Sequence, residues 1–513
     1  MAHAARVIPN LYRDSISLMQ LSAMLAALPG IDEVSAVMAT PANLALLADA
    51  GLECGRVAPG PSDLLIAVRG KRPAALEAAL AAAVADLEAP PPTGAGGGPA
   101  RTPLRSLQMG LAHAPDANLA LISTPGEYAA AEAMKALRLG LNAMLFSDNV
   151  ALSDEVELKR YAKAHDLLVM GPDCGTAIIQ GIPLGFANAV RRGAIGVVGA
   201  SGTGTQQVTC LVHRYGGGIS HAIGTGSHDL HREVGGITML QGIRALAADQ
   251  ATRAIVLVSK PPSPEVAQVV LRAATRCGKP VVVNFIGAAP HGIRGKNLYP
   301  AATLEHAAQA AVALSRGEKP ADDLPGALPR VSIGRMSSSQ RYLRGLYSGG
   351  TFCYEASALL APSLDEVRSN APVDPKLRLP DVRKSQGHTL IDLGDDEFTR
   401  GRPHPMIDFR LRNERILAEA ADREVAVILL DVVMGYGAHR DPAAELVPVL
   451  EKAQAAARSK GRNIAFIGFV CGTELDPQGL ERQEKALRAA GMILTASNAQ
   501  AVRLAASIAG KLA

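Results

Sequence analysis

The sequence predicts an α/β protein of several domains whose larger sheets are parallel and doubly wound. Three observations support this fold class. Strand-like apolar runs alternate with helical runs along most of the 513 residues. One long stretch recurs later in the chain in a recognisable second copy. A single run rich in proline and glycine separates a small module from the rest. A chain of this length holds about three or four domains.

Residues 1–88 predict a small N-terminal α/β module. Strands are expected near 5–12, 32–38 and 63–68, and helices at 14–28, 41–51 and 72–88. The evidence for the last helix is the run AALEAALAAAVADLEA, because alanine and leucine are strong helix formers. The following EAPPPTGAGGGPARTP combines proline and glycine with almost no apolar side chains. It predicts a flexible linker over residues 89–104.

Residues 105–190 predict a Rossmann-like unit. The apolar runs NLALIST and NAMLFSD each precede a helical run, and LLVMGPD ends near residue 173. Ligands of such units bind at the carboxyl ends of the strands, where STPGEY and MGPDCGT fall. The residues predicted to form this nucleotide- or CoA-facing edge are Thr124, Pro125, Gly126, Pro172 and Asp173.

The repeat covers residues 191–320 and 336–513 and predicts two duplicated flavodoxin-like domains. GVVGASGTGTQQV corresponds to GLYSGGTFCYEAS, and GKPVVVNFIG corresponds to GRNIAFIGFV. Such a pair of domains would bring two matching helix N-termini to one shared site. The alternative is that two unrelated flavodoxin-like units converged on one pattern.

In both copies a strand runs into small residues and then a helix. Free backbone N–H groups and the positive end of the helix dipole suit a phosphate or a carboxylate there. The spacing matches neither the dinucleotide fingerprint nor the Walker loop, and a tight turn without a ligand is the alternative. The predicted anion-binding residues are Ser201, Gly202, Thr203, Gly204, Thr205, Ser348, Gly349, Gly350 and Thr351, with Gly224, Thr225, Gly226, Gly394, Asp395 and Asp396 after the second strands.

Three side chains are candidates for catalysis. Glu355 lies one helical turn beyond its anion turn, where the first copy has the neutral Gln207. His228 is placed to serve as an acid or a hydrogen-bond donor, and His404 is held between prolines. Asp395 and Asp396 could bind Mg²⁺ or an amide donor, or could simply cap a helix. No metal site is predicted, since HDLH lacks a third ligand.

Composition excludes several classes of protein. The net charge is only +4, aromatic residues are 3% and tryptophan is absent, so no nucleic-acid partner is expected. No run approaches the roughly 18 apolar residues of a membrane span, and no signal-type core begins the chain. The six scattered cysteines fit reduced thiols rather than disulfides. The expected location is cytoplasmic.

Taken together, these motifs resemble the succinyl-CoA synthetase α-subunit superfamily, and more closely its FdrA-type branch. GPDCGT is similar to the GPNCPG turn of that family, and ASGTGTQQ to its SRSGTLTYE-type phosphate turn. LIDLGDDEFTRGRPHPMID, TPANLALLADAG and RDSISLM resemble FdrA segments. The resemblance covers nearly the whole chain. It implies a CoA-binding-type domain over 105–190 and two succinyl-CoA synthetase-like domains in the repeat.

The chain departs from the NDP-forming synthetases where these carry a phosphoryl group on histidine. No GHAGA-type loop follows VVVNFIG; His291 comes early and His306 lies in the final helical pattern. The glutamate that steadies the phosphohistidine in that family would fall on Gln207, and no ATP-grasp domain is visible. The missing loop and Gln207 argue against a phosphohistidine relay.

FdrA-type proteins are associated with ureide breakdown, as parts of an oxamate carbamoyltransferase acting with separately encoded partner subunits. The resemblance therefore implies transfer of a carbamoyl group between phosphate and oxamate. The implied ligands are small anions: carbamoyl phosphate, oxamate and phosphate. The alternatives are an NDP-forming acyl-CoA synthetase, with His291 as its phosphoryl carrier, and a non-catalytic scaffold of a multi-subunit enzyme. No cofactor is required by this reading; CoA, a nucleotide and Mg²⁺ stay open, and a homo-oligomer is expected.

Overall fold

The computed structural model describes residues 2–52, 59–89, 104–288, 292–322, 331, 333–400 and 402–512. The predicted linker lies outside these described residues except at its two ends. His291 also lies outside them. No helix within the described ranges has the length and apolar character needed to cross a membrane.

The N-terminal module contains the three strands and three helices that the sequence predicts. They are β1 (Ala2–Ile8), α1 (Ser15–Ala26), β2 (Ile31–Met38), α2 (Pro41–Asp49), β3 (Leu64–Gly70) and α3 (Pro73–Glu88). The sheet order is β1-β3-β2 and both pairings are antiparallel. The central strand β3 is the apolar run LLIAV because both its faces are covered.

The module contacts the rest of the protein through polar groups and through Met19 and Ala23, which pack against the core of the repeat. Ser15 Oγ and Ser123 Oγ are 2.9 Å apart, and Arg402 Nη2 donates to Glu33 Oε1 at 2.9 Å. Arg402 belongs to the loop that carries His404. The module therefore touches a loop that the sequence associates with function.

The unit after the linker is a parallel three-stranded sheet of order β4-β5-β6. Its elements are α4 (Leu107–His113), β4 (Leu119–Ile122), α5 (Gly126–Arg138), β5 (Asn142–Leu145), α6 (Leu152–Ala164) and β6 (Val169–Met170). The hairpin of β7 (Thr176–Ile179) and β8 (Ile182–Gly185) follows within the predicted 105–190 unit. It joins the next sheet instead, because Ala177 and Ile178 pack into the cores of the first copy.

The first copy of the repeat supplies the middle of a seven-stranded sheet. Its elements are β9 (Arg192–Gly199), α7 (Gly202–Arg214), β10 (Ile219–Gly224), α8 (Ile237–Ala248), β11 (Ala254–Ser259), α9 (Pro264–Arg276), β12 (Val281–Phe285), β13 (Leu298–Pro300) and α10 (Leu304–Ser315). The strand order is β13-β12-β11-β9-β10-β7-β8. The five strands β9 to β13 are parallel.

The second copy forms a parallel six-stranded sheet of order β15-β16-β14-β17-β18-β19. Its elements are β14 (Tyr342–Tyr347), α11 (Gly350–Leu360), β15 (Val367–Ser369), β16 (His388–Asp392), α12 (Asp396–Thr399), α13 (Arg410–Ala421), β17 (Val425–Val433), α14 (Pro442–Arg458), β18 (Ala465–Cys471), α15 (Leu480–Ala489), β19 (Ile493–Thr495) and α16 (Asn498–Ala509).

The two copies have the same strand order. In each, the first strand lies between the second strand on one side and the third, fourth and fifth on the other, once β7, β8 and β15 are set aside. This is the flavodoxin-like order, with ligand crevices where the order reverses. The predicted α/β fold with two flavodoxin-like domains is confirmed.

A continuous apolar core joins the copies. It contains side chains from α7, α10, α11 and α16, such as Leu211, Ala307, Phe352 and Val502. α7 packs against α10 and α11, and α11 packs against α16. This face-to-face packing sets the N-termini of α7 and α11 beside each other.

Candidate functional site

The two predicted anion turns meet across the boundary between the copies. Ser201 Oγ and Thr351 Oγ1 share a hydrogen bond of 2.6 Å. A Cβ on Gly349 would lie 3.0 Å from the Thr203 methyl group, so the contact recurs on the other side of the pair. The duplication thus brings the two helix N-termini to one place, as the sequence predicts.

The N-terminus of α7 is open. Ser201 caps the helix by accepting from Gly204 N at 3.0 Å, and Thr205 Oγ1 donates to Ser201 O at 2.6 Å. Gly202 is exposed, and a Cβ there would meet only Thr176 Oγ1, at 3.5 Å. The first N–H groups of a helix have no partner within it. An anion can therefore approach α7 at Gly202.

The N-terminus of α11 is largely occupied by the protein itself. Ser348 N and Gly349 N donate to the Asp431 carboxylate at 2.8 and 3.0 Å, and Ser348 Oγ donates to it at 2.6 Å. The buried Arg412 Nη1 donates to Asp431 Oδ1 at 3.0 Å. The structure thus commits two predicted substrate donors, Ser348 and Gly349, to an internal carboxylate.

The matching position of the first copy is apolar. Leu257 pairs with Val198 in the first copy, and Leu430 pairs with Leu346 in the second. The residues that follow are Val258 and Asp431. One helix N-terminus is therefore balanced by a buried negative charge and the other is not.

The turn Gly224, Thr225 and Gly226 serves packing in this structure. A Cβ on Gly224 would overlap Thr176 O, and one on Gly226 would overlap Pro172 O. Thr225 is fully buried. The predicted anion-binding role of this turn is not supported by its placement, because main chain of the preceding unit covers it.

A buried ion cluster, missed by the sequence analysis, fixes that same turn. Lys159 Nζ donates to Glu155 Oε1 at 2.7 Å, to Asp229 Oδ1 at 2.8 Å and to Thr225 O at 2.9 Å. The three charged side chains are at most 1% exposed. Asp229 also accepts from the first N–H groups of α8. In the sequence, Glu155 and Lys159 look like an ordinary surface pair four residues apart.

His228 lies at the edge of this cluster. Its Nδ1 is 3.5 Å from Glu155 Oε2, and its side chain is 48% exposed. It thus faces solvent, in a position that permits the predicted role of hydrogen-bond donor.

Three solvent-accessible carboxylates lie near His228. Asp148 follows β5, Asp173 follows β6, and Asp396 begins α12. Crowding by surrounding protein raises the pKa of Asp173 to about 6, although Ser227 opposes the shift, and Asp148 and Asp396 add to it. Asp173 therefore has carboxyl neighbours on two other elements.

Asp395 takes the capping role that the sequence allows for it. No group of three or more His, Cys, Asp or Glu side chains suited to a metal occurs in the described ranges. Asp395 accepts from Glu397 N at 3.0 Å and caps α12, which is the alternative given for it above.

The predicted CoA-type edge is only partly accessible. A Cβ on Gly126 would overlap Asp148 O. The main chain at Asp148 therefore lies against the start of α5, which follows Pro125. Thr124 O accepts from Ser147 Oγ at 2.5 Å, and Pro172 is buried. Of the five predicted edge residues, Asp173 is the exposed one.

The crevice is the space in front of the two helix starts, between Gly202 and Gly350. His404 is a neutral donor at its edge. Its Nδ1 accepts from Met406 N at 3.2 Å, so the proton of the neutral ring is on Nε2. Burial, and secondarily the charge of Arg412, lower its pKa to about 4. Nε2 lies 2.8 Å from the position that a Cβ on Gly394 would take.

Asp392 lies beside His404. The sequence analysis did not identify it. Its Oδ1 accepts from Gly394 N at 3.0 Å and lies 3.3 Å from the same Cβ position. Its Oδ2 would be overlapped by a Cβ on Gly350, the first residue of α11. Burial raises the pKa of Asp392 to about 6 despite the opposing charge of Lys260. The available signal was its place as the last residue of β16.

Lys260 reaches this group from the other copy. It follows β11 directly, is exposed, and its Nζ lies 5.6 Å from the centre of the Tyr354 ring on α11. The crevice thus combines an open helix N-terminus, a neutral imidazole, a buried carboxyl group and an exposed cation. Such a set binds anions and stabilises developing charge.

Glu355 is enclosed rather than open to the crevice. Its Oε1 accepts from Leu304 N and its Oε2 from Asn498 Nδ2, both at 2.8 Å. It therefore links the starts of α10 and α16 to α11. Burial raises its pKa to about 7. This placement favours a structural role, and its predicted catalytic role stays a prediction.

Glu355→Gln should remove a pH dependence of stability. The folded protein holds the Glu355 proton more tightly than the unfolded chain, whose pKa is 4.5. Stability from this group is complete below that value and is lost as the pH rises through about 7, by up to about 1.4 kcal/mol per pH unit. Glutamine keeps the acceptor for Leu304 N. Thermal melts of both proteins from pH 4.5 to 8 test this, and parallel pH profiles would contradict it.

Family models match three parts of the chain. A model described as AllF, heavy metal-associated domain, matches residues 1–103; one described as CoA binding domain matches 190–287; and one described as CoA-ligase matches 346–508. The CoA-binding match thus falls on the first copy of the repeat. The residues of the N-terminal match include one cysteine, Cys54.

Relatives include a full-length protein and a ligase subunit. YahF of Escherichia coli is 42% identical over 495 residues, covering 96% of this chain and 95% of its own. Succinate–CoA ligase [ADP-forming] subunit alpha-2 of Trichomonas vaginalis is 30% identical over 192 residues, 35% of this chain and 60% of that one.

Among solved structures, a dinucleotide-forming acetyl-coenzyme A synthetase 1 of Ca. Korarchaeum cryptofilum, in complex with phosphate and ADP, is 15% identical. The match covers 77% of this chain and 84% of that one, with a TM-score of 0.33. That likeness is too distant to assign roles to residues.

Proposed function

Since this chain belongs to the FdrA-like family of succinyl-CoA synthetase-related proteins, as its full-length likeness to YahF shows, we propose that it transfers a carbamoyl group between carbamoyl phosphate and oxamate. It would do so as one subunit of a larger enzyme. The observation that carries this proposal is the open N-terminus of α7 beside the second copy, in a crevice that also holds the neutral His404.

The chemistry needs positioning and charge stabilisation. The amide nitrogen of oxamate attacks the carbamoyl carbon, the bond from that carbon to the phosphate oxygen breaks, and one proton passes from nitrogen to phosphate. Backbone N–H groups at Gly202 hold the phosphate. Nε2–H of His404 donates to the carbonyl oxygen as it becomes negative. No covalent carrier takes part, which agrees with the missing GHAGA-type loop.

An acyl-CoA synthetase is the second candidate. The CoA-binding and CoA-ligase family matches favour it. It would need a phosphoryl carrier, and His291 is the residue to test. In either case the proposed partners of this chain are separately encoded subunits and a second copy of the chain.

Ligand-dependent stability distinguishes these functions. We expect phosphate and carbamoyl phosphate to raise the melting temperature of the purified chain, and CoA and ATP not to. A ligand at about 100 times its dissociation constant adds roughly 2.7 kcal/mol, which a thermal melt detects. Stabilisation by CoA alone would favour the acyl-CoA synthetase.

A charge variant locates the anion. Gly202→Asp places a carboxylate at the start of α7, where there is room for a side chain, and should abolish stabilisation by phosphate. Gly202→Asn is nearly the same size and uncharged, so it should retain part of the effect. Equal phosphate binding by both variants would exclude α7 as the anion site.

A further inference from the structure

We infer that Asp392 is the group that accepts and returns the proton during carbamoyl transfer. This inference rests on the proposed function and adds the proton path to the same crevice. It is carried by the position of the Asp392 carboxyl group between α11, the His404 loop and Lys260.

The carboxyl group is held in a fixed orientation. Asp392 N donates to Asn370 Oδ1 and Asn370 Nδ2 donates to Asp392 O, both at 2.9 Å. Gly394 N fixes Oδ1. Oδ2 receives no hydrogen bond within the described ranges and lies at Gly350, where α11 begins. One oxygen is thus anchored and the other faces the helix start.

The charges around Asp392 come from several elements. Lys260, after β11, favours the ionised form, whereas burial, Asp395 before α12 and Asp431 on β17 favour the protonated form. His404 faces it as a neutral ring, and Arg412 is engaged by Asp431. These opposing influences leave a group that can both take and give a proton near neutral pH.

The other crevice groups are less suited to this role. His404 presents Nε2–H as a donor and is a weak base. Asp431 already accepts from Ser348, Gly349 and Arg412. Glu355 has both oxygens engaged away from the crevice.

The proton that leaves the oxamate nitrogen ends on phosphate. As the oxamate nitrogen bonds to the carbamoyl carbon, the Asp392 carboxylate takes the N–H proton. As the carbon–oxygen bond breaks, Asp392 gives that proton to the departing phosphate oxygen, so oxalurate and hydrogen phosphate leave and the carboxylate is restored. In the reverse direction, protonated Asp392 supplies the proton to the departing amide nitrogen.

The test is Asp392→Asn in the full chain assembled with its partner subunits. Asparagine keeps an acceptor for Gly394 N but cannot carry the proton. We expect carbamoylation of oxamate to fall about 10²- to 10⁴-fold. The wild-type rate should rise with pH through about 6, because the carboxylate is the active form, and the residual rate of the variant should lack this rise. Asp381→Asn, in an exposed turn of the same domain, is the matched control and should keep both rate and profile.

A binding measurement separates the two proposals. Sulfate keeps a constant charge over pH 5 to 8, so its affinity should fall several-fold as Asp392 ionises in the wild type and stay flat in Asp392→Asn. A wild type without carbamoyl transfer, yet with this difference in sulfate binding, would overturn the proposed function and keep Asp392 as the titrating group at the anion. An active wild type whose variant retains its rate and profile would overturn the role of Asp392. Identical sulfate profiles in the two proteins would do so as well.

Discussion

Lys159→Met should lower the free energy of unfolding by about 3–5 kcal/mol. The substitution keeps most of the side-chain volume but removes the cation, which leaves the Glu155 and Asp229 carboxylates buried without a counter-ion. It also removes the donor to Thr225 O, which ties α6 to the first copy of the repeat. Both the preceding unit and the turn after β10 should therefore loosen.

The matched control is Lys163→Met, one turn further along α6 at an exposed position. Exposed substitutions of this kind usually change stability by no more than about 0.5 kcal/mol. Differential scanning calorimetry of the two variants and the wild type gives the comparison. Equal melting temperatures for the two variants would show that the buried cluster does not hold these units together.

Gly350→Val should abolish detectable binding of phosphate and reduce any transferase activity by about 10²-fold or more. The added Cβ overlaps Asp392 Oδ2, and a β-branched side chain cannot turn away from it. The carboxyl group must shift, and a misplacement of about 1 Å in a positioned group costs rates of this order.

Gly110→Val is the control for this effect. Its added Cβ would meet nothing within 4 Å, in the short helix α4. Stabilisation by phosphate, measured by thermal melts, should persist in Gly110→Val and vanish in Gly350→Val. Unchanged phosphate affinity in the latter would contradict a site shared by the two helix starts.

The alternation of strands and helices was enough to predict both flavodoxin-like domains, because short-range periodicity decides each element. It could not place the hairpin of β7 and β8. Ile178 is apolar whichever sheet receives it, and only tertiary packing selects the sheet of the first copy. The same limit applies to Lys159, whose burial depends on the arrival of the turn at Thr225.

Only part of the candidate site could be predicted, again because the sequence does not show tertiary contacts. The repeat predicted that two matching helix starts would face one site, and in the structure Ser201 and Thr351 lie within hydrogen-bond distance of each other. The sequence drew attention to Asp395 and Asp396 because they follow a glycine, whereas Asp392 is hidden as the end of an apolar strand. That Asp431 would occupy the start of α11 required knowing the register of β14 against β17.

The fusion of both halves in one chain has a consequence for how such a crevice can evolve. In a symmetric homodimer every substitution appears twice, so an aspartate under one helix start would sit under both, and both would repel an incoming anion. A single polypeptide escapes that constraint: Val258 and Asp431 occupy matching places and differ. One half can specialise in binding the substrate, while the helix start of the other half is neutralised by its own aspartate. Because both halves belong to one chain, dilution cannot separate them.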